Sequence, residues 1–412
     1  MTPQGQRVFP GGAVERTLGC MVLTTEHPGP TGRGLHSPIA ERQGPRRRLL
    51  AELDRPGQVF EHITPNWFAS VMGTGIVATA AASLPVQPPG LRLFATALWL
   101  FASVALVLLT VAFAVHWLRH PQTAKMYAAH PVMSQFYGAP AMALLTVGAG
   151  TMLIGVDVVG TGAAVAIDGF LWCAGTALGL FTSVWVPYTM MTSHSREDVI
   201  ALPAWLMPIV PPMVSATTGA FLIPHVPEGQ WRLGLLSACY ALFGLSLFLG
   251  MITMTLIYSR LVHGGAPVAQ TAPTVWITLG MIGQSVTAVN VLAVQSATVF
   301  TGDEAYIALG LHVFGIVYGL AMGGFGVAMF ALATSITVRA VRRGMPFALT
   351  WWSFTFPVGT CVTGMSALGA ALGSGPVRVL AILLYVLLIG AWATVAAKTL
   401  RGTASGRTLL PA

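Results

Sequence analysis

Residues 91–115 read LRLFATALWLFASVALVLLTVAFAV. The one charged side chain in this stretch is Arg92, which stands at its beginning, and the stretch contains neither glycine nor proline. An α-helix crosses the hydrocarbon core of a bilayer with about 20 mostly apolar residues. The stretch therefore predicts a membrane-spanning helix, and the rest of the chain can be searched for segments of the same kind.

Nine further stretches have a similar length and similarly little charge. The fifth span in chain order is the least regular of them, because Pro208, Pro211 and Pro212 interrupt it. The sequence thus predicts an all-α integral membrane protein with ten transmembrane helices. The predicted spans cover residues 65–84, 91–115, 133–155, 166–189, 204–223, 232–258, 274–296, 304–336, 350–372 and 377–397.

The overall composition supports this class. Hydrophobic residues make up 55% of the 412 residues and charged residues 8%, whereas a soluble domain carries roughly 25% charged residues. The formal net charge is +8, but the basic residues stand in short segments between apolar runs and form no face for nucleic acid. We therefore expect the lipid bilayer, and no nucleic acid, as a partner.

The basic residues also predict an orientation. With ten spans and a cytoplasmic N-terminus, 18 of the 21 lysines and arginines fall on the inner side. The outer side holds the other three, Arg92, Arg232 and Arg378. Cytoplasmic segments of membrane proteins are enriched in lysine and arginine. Both termini are therefore predicted to be cytoplasmic, in a multi-pass protein of the inner or plasma membrane.

The chain outside the spans is short except at the N-terminus. Residues 1–60 are rich in glycine, proline and arginine and lack the apolar core of a secretory signal. We expect a disordered cytoplasmic tail there, with translation starting at Met1 or Met21. Residues 61–398 are predicted to form the ten-helix domain and residues 399–412 a cytoplasmic C-terminal tail.

Odd-numbered and even-numbered spans differ in their helix-breaking residues. Prolines well inside a span occur only in odd-numbered spans, and the first and seventh spans carry internal glycines instead. A broken helix leaves backbone groups unpaired, which protein or water can satisfy but lipid cannot. We infer that odd spans are internal and even spans shield them. The predicted kink residues are Gly73, Gly75, Pro140, Pro208, Pro211, Pro212, Gly280, Gly283 and Pro357.

The interior predicted in this way is uncharged. His312, in the eighth span, is the one ionisable residue predicted near the middle of a span. Kinked helices offer backbone N–H groups and hydroxyls that replace part of an anion's hydration shell without holding the anion tightly. The polar residues that we expect to line such a path are Thr74, Ser215, Thr278, Gln284, Ser353 and Thr360.

Four stretches resemble the tellurite-resistance/dicarboxylate transporter family. They are PNWFASVMGTGI (65–76), FYGAPAMA (136–143), LGMIGQ (279–284) and WWSFTFPVGT (351–360). This family includes the slow-type anion channels of plant guard cells, fungal malate permeases and fungal sulfite efflux pumps. The fourth stretch is most similar to the sulfite-efflux branch, although Met281 stands where that branch tends to have proline.

The resemblance implies five helical hairpins around a central pore, in a homotrimer. In the channel members, a phenylalanine beside a kink in the ninth helix closes the pore. The matching residue here is Phe356, which precedes Pro357, and Phe354 is the competing assignment. The substrates implied are small anions: sulfite, tellurite-type oxyanions, or C4-dicarboxylates such as malate.

Three functional hypotheses follow. The first is an anion channel or exporter driven by the membrane potential. The second is a proton-coupled C4-dicarboxylate carrier, which needs a titratable group in the path, for which His312 is the candidate. The third, a membrane enzyme or haem protein, requires paired histidines or a nucleophile with its base inside the spans, and the sequence contains neither. We therefore expect transport without catalysis, cofactor or metal.

Overall fold

The structure, a computed structural model, describes residues 56–193 and 200–410. All of its regular elements within these residues are helices, and their order along the chain matches the ten predicted spans. The helices are α1 (Phe68–Ser83), α2 (Leu91–Arg119), α3 (Met133–Val159), α4 (Thr161–Ser193), α5 (Pro203–His225), α6 (Gln230–Gly264), α7 (Ala272–Ser296), α8 (Gly302–Arg342), α9 (Leu349–Ala371) and α10 (Gly375–Ser405).

Nine of these described helices, α2 to α10, are long and apolar enough to cross a membrane. The first predicted span corresponds to α1, which has 16 residues and is extended at its start by a 3-10 turn, Pro65–Trp67. The chain is therefore an all-α membrane protein, as predicted, with about ten spans. Residues 1–55, which contain most of the predicted N-terminal tail and both candidate start sites, lie outside the described residues.

The odd helices (α1, α3, α5, α7 and α9) form a closed ring. Each packs against the next odd helix in the chain, and α9 packs against α1. Each even helix (α2, α4, α6, α8 and α10) packs against the odd helix that precedes it, which gives five helical hairpins. The hairpins thus place the odd helices inside and the even helices outside.

Burial follows the same division. In the most apolar window, 61–94% of the residues of α3, α5, α7 and α9 are buried, but only 17–28% of the residues of the even helices. In α1, 13 of the 16 residues are buried. The inside and outside positions predicted from prolines and glycines are confirmed by this difference in burial.

Every odd helix opens with a 3-10 turn before its α-helical part begins. Three of these turns have a proline as their first or second residue, and Pro357 is the second residue of the α-helical part of α9. The N–H groups of the first turn of a helix have no partner within the helix. Proline, which has no N–H group, is therefore tolerated there. The turns are Pro65–Trp67, Met133–Tyr137, Pro203–Leu206, Ala272–Trp276 and Leu349–Phe354.

Glycine permits two odd helices to approach each other closely. A Cβ atom on Gly283 of α7 would lie 2.5 Å from the backbone nitrogen of Cys361 on α9. The glycines of α8 have a milder role, since a Cβ on Gly315 would lie 3.2 Å from the Asn290 side chain of α7. Helix α8 therefore packs closely against α7 of the same chain at Gly315.

The even helices are longer than predicted. The fourth span was expected to begin at residue 166, but α4 begins at Thr161, and the tenth was expected to end at residue 397, but α10 continues to Ser405. A helix needs apolar residues only within the hydrocarbon layer, so hydropathy does not define its ends. As a result Asp168, which stands at the outer end of the predicted fourth span, lies about two turns into α4 and is buried.

Candidate functional site

Two cavities lie inside the ring of odd helices. The smaller one, of about 20 Å³, lies where the odd helices begin, on what we call the start face. Its lining combines apolar side chains, several of them methionines, with the backbone of the helix openings. The lining residues are Ala69, Met72, Phe136, Met142, Met207, Val210, Ile277, Gly280, Leu349, Trp352, Ser353, Phe356 and Pro357.

The larger cavity, of about 220 Å³, lies toward the end face, at which the odd helices end. All five odd helices contribute to it, and eight of its lining residues carry a hydroxyl group, although most of the lining surface is apolar. The lining residues are Ile76, Thr79, Ser83, Thr146, Ala149, Leu153, Val214, Thr217, Thr218, Phe221, Gln284, Thr287, Val291, Phe356, Thr363, Ser366, Ala367 and Ala370.

Phe356 lines both cavities and therefore lies between them. Its side chain is buried, with 3% exposed. The position results from the break in α9, where a 3-10 turn ends at Phe354 and the α-helical part begins at Phe356. Gly280 of α7 lies opposite and leaves room, because even an added Cβ there would be 3.5 Å from Pro357.

Phe354 has different surroundings. Its ring packs edge-on against Trp276 and Trp351, with ring centroids 5.7 and 5.8 Å apart, and it lines neither cavity. Of the two phenylalanines named from the sequence, Phe356 is therefore the one in contact with the enclosed space.

Six threonines line the larger cavity, and five of them, one from each odd helix, form a regular set. Each follows the first residue of its helix's opening 3-10 turn by 13 to 15 residues. Because the turns start at equivalent places in the ring, the threonines come to similar depths. We call them the threonine ring: Thr79, Thr146, Thr217, Thr287 and Thr363.

The hydroxyls of the threonine ring are already engaged. Each donates to a backbone carbonyl three or four residues earlier in its own helix, at 2.7–3.3 Å. Thr287 and Thr363 also lie within 2.8 Å of each other through their Oγ1 atoms. A hydroxyl can turn its proton toward an anion, but it then gives up a bond with a net value of about 1 kcal/mol.

Other donors are freer. Gln284 donates from Nε2 to Thr217 Oγ1 at 2.8 Å, which leaves its second N–H for a ligand. The hydroxyl of Ser366 makes no hydrogen bond with any described residue. Trp352, which lines the smaller cavity, has used its N–H on Thr399 Oγ1 at 3.1 Å. Gln284 is thus the side chain best able to donate to a ligand, because the hydroxyl of Ser366 is itself buried.

The described residues that line the two cavities carry no charge. Lysine and arginine appear instead near the ends of helices, as with Lys398, whose Nζ lies 5.0 Å from the Trp351 ring centroid. His312 of α8 lines neither cavity. A ligand in this path would meet dipoles rather than ions, which favours passage over tight binding.

The other residues predicted to line a path divide into two groups. Gly280, Gln284, Ser353 and Pro357 line a cavity. The remaining kink and polar residues lie in the helix contacts around the cavities and line neither of them. They are Gly73, Thr74, Gly75, Pro140, Pro208, Pro211, Pro212, Ser215, Thr278, Gly283 and Thr360.

The polar members of this second group bond to neighbouring helices or to their own backbone. Thr74 accepts a hydrogen bond from Trp392 of α10 at 3.2 Å. The Ser215 carbonyl accepts one from Trp172 of α4 at 2.9 Å. Thr360 donates to the Gly280 carbonyl at 3.3 Å, and Thr278 donates to a carbonyl of its own helix. The side chains of Thr74 and Thr360 thus join neighbouring helices. Those of Ser215 and Thr278 bond to the backbone of their own helices.

Sequence reasoning did not identify the threonine ring or Ser366. The kinks drew attention to residues beside the breaks, whereas the cavity-lining hydroxyls lie about two turns further along each helix. A signal was present, since a threonine occurs at nearly the same offset in every odd span. It becomes visible only when the odd spans are aligned on their opening turns.

Comparison with known proteins agrees with this architecture. The sequence matches the voltage-dependent anion channel family over residues 62–400. An uncharacterized transporter of Methanocaldococcus jannaschii is 28% identical, over 85% of this chain and 96% of its own. The sulfite efflux pump of Trichophyton rubrum is 28% identical, over 90% and 97%.

More distant is a putative malic acid transport protein of Schizosaccharomyces pombe, 22% identical over 90% of this chain and 84% of its own. The family match spans all ten helices and the whole ring of odd helices, so it includes both cavities and Phe356. The resemblance to the tellurite-resistance/dicarboxylate transporters is thereby confirmed, and this membrane protein belongs to the voltage-dependent anion channel family of anion channels and transporters.

Proposed function

We propose that the chain lets small anions cross the membrane through the ring of odd helices, with Phe356 as the gate between the two cavities. The observation that carries this proposal is the position of Phe356, which lines both cavities of a path without charged side chains. An aromatic side chain between two compartments blocks a hydrated ion without binding it. Movement of one ring is then enough to join them.

The driving force is the membrane potential. A potential that is negative inside favours the exit of an anion by about 2.3 kcal/mol per charge per 100 mV. A path without fixed charge adds no tight binding site that would slow release. Export by this route needs no second ion and no chemical step.

Sulfite is the substrate that we favour, and tellurite-type oxyanions and malate are the other candidates. Support for sulfite comes from the sulfite efflux pump of Trichophyton rubrum, which aligns over 90% of this chain. Support for malate comes from the more distant Schizosaccharomyces pombe protein. A small oxyanion also suits a cavity that offers few free hydrogen-bond donors, of which the second N–H of Gln284 is one.

We further propose that the start face is cytoplasmic, that the protein resides in the cell membrane, and that it assembles as a homotrimer. The orientation rests on the distribution of basic residues: Arg339 and Arg342 end α8 on the start face, and Arg92, Arg232 and Arg378 begin even helices on the end face. The trimer rests on the family resemblance. Crosslinking in native membranes tests it, and a purely monomeric protein would contradict it.

Flux measurements in liposomes separate potential-driven transport from proton-coupled transport. The purified chain is reconstituted, a potassium gradient with valinomycin sets the potential, and sulfite efflux is followed at equal pH on both sides. We expect efflux to follow the potential without a pH gradient. Efflux that requires a pH gradient and ignores the potential would contradict the proposal and favour a proton-coupled carrier.

The role of Gln284 gives a further prediction. Replacing Gln284 with leucine removes one neutral donor from the larger cavity, a loss of about 1 kcal/mol, so anion flux should fall about fivefold. The matched control is Gln295→Leu, because Gln295 lies on the same helix but lines neither cavity. Unchanged flux in a folded Gln284→Leu protein would remove Gln284 from the path.

A further inference from the structure

Asp168 is a carboxylate enclosed within the membrane-spanning part of the protein. It lies on α4, about two turns after the helix begins at Thr161, and its side chain is fully buried. Neither carboxylate oxygen makes a hydrogen bond or an ion pair with a described residue. Ionisable residues at such depth are rare and expensive to keep charged, and where they occur they generally serve a function.

The carboxyl group lies directly over Gly148 of α3. A Cβ atom on Gly148 would overlap Asp168 Oδ1 and would also contact Leu171 at 3.4 Å, so glycine is required for the side chain to fit. The close contact joins an even helix to the wall of the larger cavity. Thr146 and Ala149, on either side of Gly148 in sequence, both line that cavity.

No counter-ion faces Asp168 from the helices packed around it. On α3 the titratable side chains are Tyr137, at the other end of the helix, and Asp157, which pairs with Arg92. The one titratable side chain of α5 is His225, at its exposed end. On α4 itself, Cys173 and Tyr188 are turned outward and exposed.

Burial of an unpaired carboxylate costs far more hydration free energy than interactions with the surrounding dipoles restore. Burial of the neutral carboxylic acid costs much less. We propose that Asp168 is a proton-binding site, neutral when α4 packs against Gly148 and ionised only when that contact loosens. Its ionised form places a negative charge behind the wall of the larger cavity, where it opposes anions. Rising pH on the end face therefore lowers anion flux. The effect on flux rests on the proposed function, but proton binding itself does not.

Infrared difference spectroscopy of the full chain in lipid tests proton binding directly. We expect the C=O stretch of a protonated carboxylic acid, a band that weakens as pH rises and is lost in Asp168→Asn. Asp157→Asn is the matched control, because Asp157 is an exposed carboxylate on the same face, and it should leave the band unchanged. Absence of a band assigned to Asp168 at every pH at which the protein is folded would overturn the proposal.

Flux as a function of pH tests the consequence. Asp168→Asn mimics the neutral acid. As pH rises, the flux through the unmodified protein should fall, whereas the flux through Asp168→Asn should stay at the level that the unmodified protein has at low pH. Identical pH profiles would overturn the proposed role in transport. If Asp168→Asn does not fold, Gly148→Ala forces the carboxyl group away from α3 and should shift the band and the pH profile. An unshifted band in Gly148→Ala would count against the site.

Discussion

Replacing Phe356 with alanine should raise anion conductance about tenfold or more, since removing a barrier of about 1.4 kcal/mol already has that effect. Phe356 is the residue that the linings of both cavities share. Alanine would join the 20 Å³ and 220 Å³ spaces into one continuous path. Single-channel or macroscopic currents in planar bilayers, normalised to the amount of folded protein, provide the measurement.

The matched control is Phe354→Ala. It removes the same number of atoms two residues away, but from a cluster with Trp276 and Trp351 that lies outside both cavities. We expect this variant to lose stability without a gain in conductance. Equal conductance changes in the two variants, or a folded Phe356→Ala protein that conducts no better than the unmodified one, would contradict the assignment of the gate.

Replacing Gly283 with alanine should strongly destabilise the protein, with a loss of about 3 kcal/mol or more. The added Cβ would lie 2.5 Å from backbone atoms of both Thr360 and Cys361, and backbone cannot move aside as a flexible side chain can. Helices α7 and α9 would have to separate, which also strains the bond from Thr360 to the Gly280 carbonyl. Thermal unfolding in detergent, followed by size-exclusion chromatography, measures the loss.

Gly324→Ala provides the comparison for this prediction. Gly324 lies within α8 and an added Cβ there would meet no atom within 4 Å. Alanine has the higher helix propensity, so this variant should be as stable as the unmodified protein or slightly more so. Similar melting temperatures for the Gly283 and Gly324 variants would show that the contact between α7 and α9 is looser than described.

Much of the fold was predictable because lipid imposes simple rules. Apolar length alone located the spans, and the absence of proline and glycine from residues 91–115 distinguished an outer helix from an interrupted inner one. Pro357 and the stretch around it led to Phe356 as the gate candidate through family resemblance. The choice between Phe354 and Phe356 depended on which ring faces the cavities. The sequence alone does not contain that information.

The site itself was less predictable. Thr74 and Ser215 have the residue types and the spans expected of a lining residue, yet Thr74 bonds to Trp392 and the Ser215 carbonyl bonds to Trp172. A rotation of about 100° per residue separates a helix face that lines a cavity from one that contacts a neighbour. When every face of a helix is buried, as in α5 and α7, apolar periodicity no longer reports which face is which.

The burial of Asp168 was not predicted for a related reason. The predicted span begins at residue 166, which places Asp168 in its first turn at the expected membrane surface, whereas α4 begins five residues earlier at Thr161 and continues through the aspartate. Gly148 leaves room for its side chain, but the pairing of a glycine in one span with an aspartate in the next is a tertiary contact. It requires the packing of α3 against α4, which the separate segments do not define.

Sided chemical modification tests the central claim, that Phe356 divides one path enclosed by the odd helices. Thr217→Cys places a thiol in the larger cavity, in a background without the four native cysteines. With Phe356 intact, a small membrane-impermeant thiol reagent should react with it from the end face alone. With Phe356→Ala it should react from both faces. Equal reaction from both faces while Phe356 is intact, or reaction from neither face in the alanine variant, would contradict the claim.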